Sequence, residues 1–111
     1  MLGRLAAYAA AGAEVLFAPG PRTRHEIGAI VRAVAPKPVN AIVMGNVDLT
    51  VAHLAALGVR RISLGSALAR VAWGAFMRAA TAIAAHGRFD GLTGAASFAE
   101  LNAMFAGPEA R

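Results

Sequence analysis

Ala10-Ala11-Gly12-Ala13-Glu14-Val15-Leu16-Phe17 returns later in the chain as Ala56-Leu57-Gly58-Val59-Arg60-Arg61-Ile62-Ser63-Leu64, with the two glycines 46 residues apart. In each copy a helical segment runs into a glycine and an apolar run follows. A glycine just past a helix supplies the left-handed backbone that ends it, and the run beyond reads as a fully buried strand. A third such run, Val39 to Met44, lies between the two echoes. A helical segment over residues 3–11 precedes the first strand, so the order is helix, strand, helix, strand, helix, strand, helix. That order predicts an α/β fold of three parallel strands alternating with helices, helix first. Three parallel strands cannot close a barrel and make a poor open sheet. The chain reads as a slice of something larger.

Composition agrees. Apolar residues make up 58% of the 111 positions without counting the 12 glycines, against roughly 45–50% with glycine included in ordinary domains. In so small a chain this excess implies apolar faces that other structure covers. The 29 alanines suit helices packed closely on a sheet. With no cysteine, disulfides and thiolate metal sites are excluded. Arg32, Arg60, Arg70 and Arg78 interrupt every candidate membrane span, and Met1-Leu2-Gly3-Arg4 does not open a signal peptide. The expectation is a cytoplasmic protein with no membrane partner. The net charge of +5 comes from ten arginines and one lysine, scattered rather than gathered on one face or interleaved with aromatics. No nucleic-acid partner is expected from that pattern.

Punctuation along the chain places the elements. Pro19-Gly20-Pro21 forces a turn after the first strand (Glu14 to Ala18), and Thr23-Arg24-His25-Glu26 is a capping box. The second helix follows to about Ala35, with Ile27, Ile30, Val31 and Val34 on one buried stripe. Pro36-Lys37-Pro38 stops it and launches the second strand. Gly45-Asn46-Val47-Asp48 is a loop, after which Asp48 or Thr50 caps a short third helix ending at Gly58. The third strand spans Val59 to Leu64. A long fourth helix runs from about Ala67 to Ala85, with Trp73, Phe76 and Met77 expected in its core stripe. Gly91 to Gly94 is a linker, and Ser97-Phe98-Ala99-Glu100 is a second capping box opening a last helix to about Phe105.

Ligands of parallel α/β folds collect at the carboxyl ends of the strands, where loops meet helix N-termini. Three clusters qualify: Ala18 to Arg22, Met44 to Asp48, and Leu64-Gly65-Ser66. In the last, a strand runs through Gly-Ser directly into a helix, an arrangement that leaves free amides at a positive helix end. Either Gly65 and Ser66 receive a small carboxylate or phosphate-type anion there, or Ser66 caps the helix and Gly65 only permits the turn. Asn40 is the one polar side chain inside an apolar strand. It reaches either a ligand carboxylate or the backbone of a neighbouring strand. Glu14 and Asp48 have no second acid near them in sequence, and His25, His53 and His86 are spaced as surface residues. No paired-acid mechanism and no metal cage follows, and no catalytic residue is assigned.

These pieces together resemble the isocitrate lyase and phosphoenolpyruvate mutase superfamily. Tyr8-x-x-x-Gly12-Ala13-Glu14-Val15-Leu16-Phe17 is similar to its sixth-strand region and Lys37-Pro38-Val39-Asn40 to its seventh. Leu54 to Leu68 resembles its eighth strand and the start of its last barrel helix, and Gly87-Arg88-Phe89 with Phe98 to Asn102 resembles its ending. The resemblance implies that residues 1–111 form a single partial (β/α)8, or TIM-type, barrel domain, the C-terminal portion of a larger barrel. It further implies a Mg²⁺-dependent lyase or mutase of small 2-oxo or 2-hydroxy acids that cleaves or forms C–C or C–P bonds. By the same analogy Asn40, Gly65 and Ser66 are substrate-binding residues.

The family's metal-binding aspartates and catalytic loop lie on the first five strands, so this chain alone is expected to bind no Mg²⁺ and to be inactive. Phe17-Ala18-Pro19-Gly20 carries no acid where many lyases of the family have a glutamate, so isocitrate cleavage itself is not expected and a mutase-like or decarboxylase-like parent is. The alternative reading is a non-catalytic, self-associating α/β module. Both sheet edges would be open, and the resemblance implies a last barrel helix packed on a neighbouring subunit, so a homo-oligomer is expected.

Overall fold

Gly12 and Gly58 adopt φ of +101° and +90°, and each ends a helix in the same way. Ala13 N–H donates to Tyr8 O at 3.0 Å, and Val59 N–H donates to Leu54 O at 3.0 Å, so each bond spans the glycine and ties off the helix's last carbonyls. The echo in the sequence is therefore an echo in structure. The computed structural model describes residues 1–45 and 48–106. Its elements are α1 (Leu2–Ala10), β1 (Leu16–Phe17), α2 (Arg24–Val34), β2 (Val39–Ile42), α3 (Val51–Ala56), β3 (Arg61–Ser63), α4 (Ala67–His86) and α5 (Phe98–Phe105), with a 3₁₀ turn at Asp90–Leu92. Asn46 and Val47, inside the expected loop after the second strand, lie outside the described residues.

The chain divides into two compact units, Met1–Arg70 and Val71–Arg111. In the first, the strands form one parallel sheet in the order β1-β2-β3, as the alternation predicts. Leu16 pairs with Val39, Phe17 with Asn40, Asn40 with Arg61, Ala41 with Ile62 and Ile42 with Ser63. Side chains alternate along a strand. Leu16, Val39, Ala41 and Ile62 therefore share one face, and Phe17, Asn40, Ile42, Arg61 and Ser63 share the other.

The first face carries the core. Leu16 and Val39 pack with Leu5 of α1 and with Ile30 and Val34 of α2. Ala41 packs with Ile27 of α2, Leu54 of α3 and Val59, with Ile62 against them. The strands are shorter than the apolar runs, and only the central one, β2, is buried on both faces, with Val39, Asn40 and Ala41 all buried. Phe17 is 43% exposed, and Val15 and Leu64 fall outside the strands and are exposed. Among the described residues the helices pack on one face of this sheet, and the flanking strand β1 is the one whose apolar run is buried at Leu16 and exposed at Phe17.

Both capping boxes are present. Glu26 N–H donates to Thr23 Oγ1 at 3.2 Å while Thr23 N–H donates to Glu26 Oε2 at 3.0 Å, and Ser97 and Glu100 repeat the exchange at the start of α5. Thr50, not Asp48, caps α3, accepting from His53 N–H at 3.1 Å. In the second unit the expected linker contains the 3₁₀ turn, with Gly91 set against Ala79 so closely that a β-carbon would stand 3.0 Å from its Cα. Trp73 and Phe76 meet edge to face, with ring centroids 5.4 Å apart. Trp73, Phe76 and Met77, expected in a core, are instead exposed, Trp73 by 62%. The apolar stripe exists, but no described residue covers it.

Candidate functional site

Parallel pairing brings the three strand-to-helix loops out at one edge of the sheet. β1 feeds Ala18 to Thr23, β2 feeds Val43 onward, and β3 feeds Leu64 to Ser66. Of the residues singled out from sequence, Gly65 and Ser66 are exposed at the joint between β3 and α4. Gly65 has φ +54°, and a β-carbon there would meet Ile42 Cδ1 at 3.3 Å and Met44 Sδ at 3.7 Å. The loop after β3 thus lies against the loop after β2. Ser66 O accepts from Arg70 N–H at 2.9 Å and begins the α4 ladder.

Asn40 is only 5% exposed. Its Nδ2 donates to Ser63 Oγ on β3 at 3.1 Å, so it does bind a neighbouring strand, through a side chain rather than the backbone. Its Oδ1 is buried and has no hydrogen-bond partner among the described residues. A buried amide oxygen left open is costly in a finished fold.

Two clefts open at this edge. The larger, about 670 Å³, is bordered by Pro19, Arg22, Ile42, Met44, Leu49 and Arg70 among others. The smaller, about 370 Å³, is bordered by Arg22, Thr23, Arg24, Asp48 and Leu49. Arg24 ties α2 to the region before α3. Its Nη2 donates to Asp48 O at 3.2 Å and lies 2.8 Å from His53 Nδ1, so His53 is a half-buried contact rather than a plain surface residue. Glu26 accepts from Arg22 N–H at 2.9 Å, from Thr23 N–H and from the Thr23 hydroxyl, and these bonds hold its carboxyl below the usual glutamate value. Arg22 closes the first of the three clusters marked from sequence, whereas sequence spacing did not single out Arg70 or His53. Each acquires its neighbours through the sheet, across separations that carry no periodic signal.

A magnesium ion needs several converging oxygen ligands. Among the described residues no three His, Asp or Glu side chains come together. No helix among the described residues is long and apolar enough to cross a membrane.

Three parallel strands alternating with helices, with loops gathered at one carboxyl edge, are the architecture of a partial (β/α)8 barrel of the lyase type. Residues 1–84 match the phosphoenolpyruvate phosphomutase family, and the chain belongs to that family. Its structure is similar to that of a candidate lyase/mutase from Burkholderia cenocepacia J2315, with 47% identity and a TM-score of 0.85 over 96% of this chain. It is also similar to an oxaloacetate acetylhydrolase in complex with the product oxalate, with 30% identity and a TM-score of 0.66 over 84% of this chain and 34% of that one. A 2,3-dimethylmalate lyase, at 21% identity and a TM-score of 0.75 over 98% of this chain, shares the fold. No curated protein matches the sequence at a significant level. The chain spans 39% of the length of the Burkholderia protein.

Proposed function

We propose that this chain supplies the sixth to eighth strands of a lyase-type barrel acting on small 2-oxo or 2-hydroxy acids, with cleavage or formation of a C–C or C–P bond, and that it is catalytically silent alone. The observation that carries this is the match to the Burkholderia candidate lyase/mutase over nearly the whole of this chain but 39% of that one. The oxaloacetate acetylhydrolase with bound oxalate supports a small dicarboxylic substrate class. In this reading Asn40, Gly65 and Ser66 line the substrate side, and the open Asn40 Oδ1 is a residue awaiting the remainder of its barrel. Metal and acid–base chemistry would come from the other strands. The test is an assay of the isolated chain with Mg²⁺ against oxaloacetate, methylisocitrate and phosphonopyruvate. No turnover is expected. Turnover that appears only when a polypeptide carrying the remaining strands is added supports the reading, and robust turnover by the chain alone overturns it.

A second reading, a self-associating module in a homo-oligomer, is favoured by the exposed Leu68, Val71, Trp73, Phe76 and Met77 on α4 and by the open edges of β1 and β3. So much bare apolar surface rarely stays single in water. Light scattering at micromolar concentration should give a mass above that of one chain. A folded, soluble monomer refutes association.

A further inference from the structure

We propose that the polypeptide covering the sheet face turned away from the helices presents a carboxylate to Arg61, and that this ion pair selects it over a second copy of this chain. The inference rests on the reading of the chain as three strands of a lyase-type barrel. It adds the chemistry by which those strands recognise what covers them. By strand alternation, Phe17, Asn40, Ile42, Arg61 and Ser63 share this face. The helices pack on the opposite one, through Leu16, Val39 and Ala41. Phe17 is 43% exposed and Ile42 is half-buried, so the face keeps apolar surface open to water.

Two polar groups on this face are unfinished. Asn40 Oδ1 is shielded from water and accepts no hydrogen bond among the described residues. Arg61, opposite Asn40 in the ladder, is exposed, and no described acid forms an ion pair with it. Whatever covers the face must therefore supply apolar side chains for Phe17 and Ile42 and a negative charge for Arg61. A guanidinium taken out of water without a counter-charge is costly, whereas a carboxylate meets its planar fork with two parallel hydrogen bonds. A second copy of this chain cannot meet that demand. Laid on the same face it brings another Arg61 and no acid, and each copy carries a net charge of +5. The strands this chain lacks can. The chain spans 39% of the Burkholderia lyase/mutase, so more than half of that protein lies outside the match. The free edges at β1 and β3 are where added strands would join the sheet and curve over its open face.

The test is co-expression of the tagged full chain with the portion of the Burkholderia protein that it does not match, followed by capture on the tag. The unaltered chain should retain that portion. Arg61→Leu should retain it about thirtyfold less well, because the partner's carboxylate is then buried without its cation, and Arg61→Lys should restore much of the loss. Arg60→Leu, an exposed neighbour outside this face, should change nothing. In the isolated chain Arg61→Leu should leave the urea midpoint where it was, since the guanidinium is exposed there, so a loss of capture is not a loss of fold. Failure of the unaltered chain to retain the portion, or retention by Arg61→Leu that is equal or better, overturns the proposal. The second result would mean that the covering surface is apolar at that point. A change in the mass of the chain alone on Arg61→Glu, read by light scattering, also overturns it, because the face would then be filled by a second copy. Failure here is separable from failure of the lyase reading. Turnover by the isolated chain sinks that reading whatever Arg61 does, whereas a silent chain whose capture ignores Arg61→Leu sinks this inference alone.

Discussion

Asn40 and Ser63 are joined diagonally across two parallel strands. Asn40 stands opposite Arg61 and Ser63 opposite Ile42, yet Asn40 Nδ2 donates to Ser63 Oγ at 3.1 Å. The Ser63 hydroxyl points its own donor at Ala41 O, 3.5 Å away. One polar link therefore clamps β2 to β3 on the face away from the helices, and one end of it, Asn40 Oδ1, stays open.

Removing only the serine hydroxyl should cost more than removing the whole link. Ser63→Ala leaves a buried amide without its acceptor, a loss of about 1–3 kcal/mol. Replacing both partners with apolar groups, Asn40→Leu with Ser63→Ala, should return most of that, because no polar group is then stranded. Urea unfolding of the two variants decides it. A neutral Ser63→Ala would mean that the hydrogen bond contributes nothing.

The capping boxes predict a pH dependence with a definite sign. Glu26 is lowered from the ordinary value of 4.5 chiefly by the Arg22 N–H, then by Thr23 N–H and the Thr23 hydroxyl. Glu100 is lowered by Ser97 N–H and the Ser97 hydroxyl. A folded value below the unfolded one means that the stabilisation is complete above the ordinary value and is lost as pH falls through the folded value. NMR titration of the two side chains should therefore give both midpoints below 4.5. Thr23→Ala should raise the Glu26 midpoint part of the way back and leave Glu100 where it was. A Glu26 midpoint at or above the ordinary value contradicts the box.

What could be read from the sequence divides by the range of the physics. Helix ends were legible because caps and terminal glycines act within four or five residues. Thr23 with Glu26, Ser97 with Glu100, Gly12 and Gly58 all behave as their local chemistry demands. Strand lengths were not. Val15 and Leu64 have the right propensity but no ladder partner, and a strand extends only as far as its neighbour does. The same limit explains Trp73. Its apolar stripe says that a partner surface is wanted without saying where it comes from. At the carboxyl edge, Gly65 and Ser66 stood out because a strand runs straight into a helix there. Arg22 belonged to a marked loop, but Arg70 did not stand out, since only the fold brings that loop and a distant helix start to one cleft.

The two echoing glycines give the sharpest stability comparison. Both hold positive φ, so an alanine at either position meets the left-handed penalty of about 1–2 kcal/mol. Their surroundings differ. A β-carbon on Gly12 would meet nothing within 4 Å, while one on Gly58 would stand 3.0 Å from Val31 Cγ1. Val31 is β-branched and packs against both core clusters, so it has little freedom to yield. Gly58→Ala should therefore be less stable than Gly12→Ala by about 1–3 kcal/mol, the usual cost of overpacking. Thermal or urea unfolding of the two single variants measures the difference directly. Adding Val31→Ala to Gly58→Ala removes the obstructing methyl, so the double variant should lose less than the two single losses combined. Equal stability of the two alanine variants, or strict additivity with Val31→Ala, would place the whole cost in the backbone and leave Val31 no part in fixing that turn.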